Sequence, residues 1–133
     1  MRICKGWILL LLISLSLLGI TACGGGKEKS SPYEQITAEQ AKAMMDTQKD
    51  YVIIDARTPE EFAEGHIENA ILIPEYEIAG RAEKELPNKE QLILVYCRSG
   101  RRSKIAATEL VKLGYTNVKE FGGIIDWPYE VVK

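Results

Sequence analysis

The chain has 133 residues, 46% of them hydrophobic and 27% charged, with a formal net charge of −2 at pH 7. This is ordinary globular composition with room for one core, and its slightly acidic balance excludes an electrostatic nucleic-acid binder. One histidine and the one cysteine left free in the mature chain, Cys97, cannot supply a zinc centre, so no metal and no cofactor are expected. The first element in chain order is a targeting segment. Residues 1–5 carry Arg2 and Lys5, and residues 7–18 are apolar except for Ser14 and Ser16. A basic start, a short apolar run and small residues after it predict a secretory signal, too short to span a bilayer comfortably.

The end of that signal, Ile20-Thr21-Ala22-Cys23, resembles the lipobox of bacterial lipoproteins. The resemblance implies cleavage after Ala22, lipidation of the Cys23 thiol and export to the outside of the cytoplasm on a cell-membrane anchor. Residues 1–22 are then the signal peptide. Residues 23–32, rich in glycine, serine and lysine, read as a flexible linker, and residues 33–133 as one domain expected to be monomeric. Cys4 leaves with the signal and Cys23 carries lipid, which makes Cys97 the one free thiol of the mature protein. In an exported protein a leftover cysteine suggests a reactive thiol.

From Tyr33 onward, strand-like and helix-like segments alternate. Thr37 is placed to cap a helix over residues 38–45, with Ala41, Met44 and Met45 on one face. Residues 51–54 form an apolar run ending in Asp55, the pattern of a buried parallel strand. Thr58-Pro59-Glu60-Glu61 combines a threonine cap, a proline at the first helical position and a glutamate three residues after the cap. It predicts a short helix, stopped by Gly65. A strand is predicted over residues 70–73, closed by Pro74, then a helix over residues 77–86, a strand over 92–96, and a helix opened by Ser103 and ended at Gly114. A last strand near residues 118–121 precedes Gly122-Gly123 and a turn around Trp127-Pro128. This order predicts an α/β fold with a mostly parallel central sheet and helices on both faces.

The segment that carries chemistry is Cys97-Arg98-Ser99-Gly100-Arg101-Arg102-Ser103, where a core strand ends and a helix begins. Parallel sheets bind ligands outside the carboxyl ends of their strands. A helix N-terminus there directs N–H groups and a positive dipole end at the same space. Three nearby arginines add positive potential, and such surroundings favour the thiolate, the reactive form of cysteine. Gly100 allows a left-handed turn, so the loop can wrap around the sulfur. Packing alone explains a buried cysteine after a strand but not the arginine cluster with glycine.

This segment resembles the active-site loop of single-domain rhodaneses, whose common form is cysteine-arginine-any-glycine-any-arginine-serine. Residues 54–67, from Ile54-Asp55-Ala56-Arg57 to Gly65-His66-Ile67, resemble the upstream signature of that family. Phe121-Gly122-Gly123 through Trp127 resembles its glycine-glycine-tryptophan ending. The resemblance implies a sulfurtransferase in which the Cys97 thiolate takes the outer sulfur of a small anionic donor such as thiosulfate and passes it to cyanide or a thiol acceptor. Backbone groups of Arg98, Ser99, Gly100, Arg101 and Arg102 would cradle the sulfur. Arg98 and Arg101 are expected to meet the donor, and Arg102 to turn inward and brace the loop. Asp55 and Arg57 are supporting candidates: Asp55 could anchor an arginine of the loop, or the two could form a structural ion pair. His66 is read as a turn residue, and Tyr96 and Trp127 as core.

Three rivals remain. A related phosphatase loop holds cysteine and arginine with five residues between them, whereas here Ser103 stands at the equivalent place and the loop suits a sulfur atom better than a tetrahedral phosphate. A non-catalytic rhodanese-like binding module would usually have lost the cysteine, and Cys97 is present. A persulfide carrier serving an exported partner would keep the thiol and change only the acceptor.

Overall fold

The computed structural model describes residues 31–133; the predicted signal peptide, Cys23 and most of the predicted linker lie outside them. Five strands form one sheet: β1 (Glu34–Gln35), β2 (Tyr51–Asp55), β3 (Ala70–Leu72), β4 (Leu92–Cys97) and β5 (Val118–Gly123). Four helices accompany them: α1 (Ala38–Thr47), α2 (Pro59–Glu64), α3 (Ile78–Glu85) and α4 (Arg101–Lys112). The strand order is β1-β5-β4-β2-β3, and every pairing is parallel. The fold is therefore α/β, as the alternating pattern predicts. The two-residue β1, which pairs with Lys119 and Glu120, has no periodic signature and is an addition to the sequence-based picture.

Side-chain alternation along the strands divides the core in two. Ile54, Ile93, Val95 and Cys97 pack with Ile78 and Ala82 of α3 and Ala106, Ala107 and Leu110 of α4. Ile53, Leu92, Leu94 and Tyr96 pack on the other face with Ala41 of α1, Phe121 and Trp127. β4 is buried at all six positions, as the central strand of a sheet covered on both sides must be. The last side chain of β4, Cys97, thus lies on the α3/α4 face, and Tyr96 on the α1 face.

Two predicted helix starts shift. The third helix is preceded by a 3-10 turn over Glu75–Glu77 that follows Pro74, because proline fixes the chain direction at the end of β3. The last helix opens at Arg101, two residues before Ser103, with Gly100 as its N-cap residue at φ 100°. Ser103 does not cap because it lies inside the first helical turn, where its hydroxyl donates to Glu120 Oε1 at 2.6 Å and back to the Gly100 carbonyl at 3.0 Å. Arg101 and Arg102 accordingly belong to the first helical turn and not to the loop.

The β4–α4 turn as a candidate active site

Cys97 ends β4 at the carboxyl edge of the sheet, and residues 98–100 carry the chain into α4. No side chain caps α4, so the free N–H groups of its first turn have no internal acceptor. The sulfur takes that place. The Gly100 N–H donates to Cys97 Sγ at 3.0 Å. Burial pushes the Cys97 thiol up, but hydrogen bonds from the Ser103 hydroxyl region and from the amides of Ser103, Gly100 and Ser99 outweigh it and hold the group below its usual value. These donors stabilise the charged form directly. The residue is only 1% exposed, so what solvent meets above it is the rim of the loop, where Arg98, Ser99 and Arg101 are exposed.

The floor of the loop is β5. Its pairing with β4 runs Val95 to Glu120 and then Cys97 to Gly123, an extra residue on β5. Gly122 takes up that bulge at φ 87°, a left-handed conformation in which glycine is unstrained. Gly123 lies directly under the loop: a Cβ there would stand 2.0 Å from the Arg98 carbonyl oxygen. Gly122 is thus set by its left-handed turn, and Gly123 by the backbone that lies on it.

The arginines divide into two kinds. Arg98 and Arg101 are exposed and have no ion-pair partner among the described residues. Arg102 turns toward α2 and pairs bidentately with Glu61, Nη1 to Oε2 at 2.7 Å and Nη2 to Oε1 at 2.8 Å. The Arg102 hydrogen bonds pull the Glu61 carboxyl down to about 2. The same Glu61 side chain accepts from the Thr58 N–H at 3.1 Å, so one carboxylate completes the start of α2 and braces the start of α4.

Asp55 does not anchor a loop arginine. It sits on the Tyr96 face of the sheet, where Arg57 donates to both its oxygens (Nη2 to Oδ2 at 2.7 Å) and the Tyr96 hydroxyl donates to Oδ2 at 2.7 Å. Arg57 also donates to the Gly65 carbonyl at 2.7 Å, and Asp55 is wholly buried. The pair is structural, since alternation along β2 and β4 points it away from Cys97. His66 stacks on Phe62 with ring centroids 3.7 Å apart, and its backbone bonds Val132 in both directions. A cleft of about 520 Å³ lies on the same face as Trp127, lined by Tyr51, Ile53 and Ile67, away from the sulfur. What sequence reasoning missed is Glu120, buried on the Cys97 face beneath the loop. Its signal was faint: Glu120 follows Lys119 in β5, and nothing in that charged pair says which of the two faces the core.

The profile of the Rhodanese-like domain matches residues 37–128. The thiosulfate sulfurtransferase PspE of Escherichia coli (strain K12) is 39% identical over 80 residues, covering 60% of this chain and 77% of the relative. A sulfurtransferase of Allochromatium vinosum is 37% identical over 94 residues, covering 70% and 86% respectively. Among solved structures, a rhodanese with anions from E. coli superposes with a TM-score of 0.59 at 37% identity, covering 62% of this chain and 98% of that one.

Proposed function

The chain belongs to the rhodanese-like domain family, its relatives support a rhodanese-type sulfurtransferase, and from that premise we propose that it moves a sulfane sulfur from thiosulfate to a thiol through a persulfide on Cys97. The carrying observation is the Gly100 N–H on Cys97 Sγ at 3.0 Å, at a helix start that no side chain caps. The thiolate attacks the outer sulfur of thiosulfate. The S–S bond of the donor breaks, and sulfite leaves with the electron pair. An acceptor thiolate or cyanide then attacks the terminal sulfur of the persulfide and returns Cys97 as thiolate. The amides that hold the resting thiolate hold the persulfide charge as well. Arg98 and Arg101, exposed beside the sulfur, meet the anionic donor.

The test uses full-length protein in detergent. After incubation with thiosulfate its mass should rise by one sulfur, and cyanide should remove that sulfur as thiocyanate. Cys97→Ser should abolish both. Arg98→Ala or Arg101→Ala should lower kcat/KM for thiosulfate roughly tenfold, as loss of a charged hydrogen bond does, with less effect on a neutral organic trisulfide donor. Wild type with a reduced Cys97 that takes sulfur from none of these donors refutes the reading.

We further propose that the domain acts outside the cytoplasm, tethered through lipid on Cys23. The support is the lipobox-like run ahead of Cys23 and the polar linker after it. Several acyl chains anchor stably where one does not. Mature protein should partition with membranes, and Cys23→Ser should release it or leave it unprocessed. Recovery of unlipidated, soluble protein beginning at Cys23 would overturn this.

A further inference from the structure

The cleft of about 520 Å³ on the Trp127 face takes no part in sulfur transfer. α1 supplies Lys42 and Asp46 to it, β2 supplies Tyr51, and the chain after β5 supplies Trp127 and Tyr129. Trp127 and Tyr129 meet edge to face, with ring centroids 4.9 Å apart and planes at 69°, so the two rings make a corner. Lys42 Nζ stands 5.7 Å from the Tyr129 ring centroid. One ring of the cleft thus already carries a cation, which Asp46 holds by an ion pair. The other charges are acidic. Glu68 and Glu130 line the same cleft, and neither has an ion-pair partner among the described residues. The bridge of His66 with Val132 is antiparallel, so Glu68 and Glu130, each two residues from it, lie to the same side. Two carboxylates there focus a negative potential on the cleft.

A second observation points to a ligand. Trp127 is 9% exposed, and its indole N–H is a buried donor with no acceptor among the described residues. Buried donors are normally satisfied, and the protein offers this one nothing. An aromatic corner, a negative cleft and an unmet donor describe one partner between them. Ring faces and carboxylates call for a positive charge, and the indole for an oxygen close to it. Thiosulfate is the opposite of this, so the cleft is no second seat for the anionic donor. We propose that the cleft binds a small organic cation, an ammonium compound that carries a hydroxyl or carbonyl oxygen. Its charged group sits at the Trp127–Tyr129 corner beside Glu68 and Glu130, and Ile53 and Ile67 give its carbon atoms an apolar floor. Lys42 competes for the Tyr129 ring and so sets the affinity.

Choline is the probe, titrated into full-length protein in a nonionic detergent. Trp7→Phe is introduced so that Trp127 gives the single indole N–H resonance. That resonance should move downfield and saturate as the donor gains an acceptor. Neohexyl alcohol, the neutral isostere of choline with the same hydroxyl, should bind roughly tenfold more weakly. Glu68→Gln and Glu130→Gln, both at exposed positions, should each weaken choline about threefold. Lys42→Gln should tighten it about threefold, because the Tyr129 ring is vacated and Asp46 is freed. Glycerophosphocholine separates the two sources of such a cation. Binding as tight as that of choline assigns the cleft to a lipid headgroup; weaker binding, expected because its phosphate meets the carboxylates, assigns it to a free solute, and both keep the cation. Sulfur uptake should be unchanged in the Glu68, Glu130 and Lys42 variants, since Cys97 and the cleft lie on opposite faces of the sheet. A resonance that does not saturate, an isostere that binds as tightly as choline, or a Lys42→Gln that binds choline more weakly overturns the proposal.

Discussion

Two neighbouring strand-to-helix turns at the carboxyl edge of the sheet solve the same problem in opposite ways. Both β2–α2 and β4–α4 must satisfy the free amides at the start of a helix. In the first, Thr58 accepts from the Glu61 N–H, Glu61 reaches back to the Thr58 N–H, and proline sits at the helix start. That turn is closed on itself and has nothing left to offer a ligand. In the second there is no capping side chain, and the amides converge on a sulfur. The candidate site lies where the cap is missing. The two turns are also linked, because the carboxylate that completes the first cap holds Arg102 at the start of the second helix.

The comparison breaks most severely at the floor of the uncapped turn. Gly123→Ala puts a Cβ into the Arg98 carbonyl, 2.0 Å away, so the loop must lift. Displacement of this kind should cost about a hundredfold in sulfur transfer, with an overpacking penalty of about 1–3 kcal/mol in stability. Kinetics and thermal unfolding on the same preparation check both, and wild-type activity would mean that the loop does not rest on Gly123.

A smaller effect is expected where the turns are joined. Arg102→Ala should lower kcat/KM a few-fold, since the amides remain but their helix loses its brace, and stability should fall by about 1 kcal/mol. The ion pair also has a pH signature. A carboxyl held at about 2 against an ordinary 4.5 contributes its stability fully above 4.5 and loses it as pH falls toward 2. Glu61→Gln should therefore flatten the acid limb of the stability curve, measured by denaturant unfolding between those pH values. An unchanged limb would show that the pair contributes nothing in solution.

The smallest effect on function belongs to the closed turn. Thr58→Ala removes one cap hydrogen bond and should destabilise the fold by about 1 kcal/mol while sulfur transfer stays within twofold of wild type. A large loss of activity would mean that the α2 cap and the sulfur cradle are not independent.

Local signals in the amino-acid sequence were sufficient wherever neighbours along the chain settle the structure. Thr37 and Thr58 head the helices they were expected to head, both with a reciprocal capping box. The apolar runs of residues 51–54 and 92–96 became central parallel strands, and Gly100 took the left-handed conformation that its place in the loop demands. These features depend on side chains within a few residues of one another, and so can be read in one dimension. The start of α4, the pairing of Arg102 with Glu61, the seclusion of Asp55 on the far face and the Ser103–Glu120 contact depend on strand register and on which face each residue presents. Ser103 reads as a cap, but the helix opens two residues earlier at Arg101 and its hydroxyl meets a carboxylate of β5, 17 residues on. Asp55 reads equally as an anchor for the loop or as half of a structural pair with Arg57, and alternation along β2, which turns it toward Tyr96, decides for the pair. Parallel strands are joined by long crossovers and not by hairpins, so nothing local specifies which side chains finally meet. Only the assembled sheet decides that.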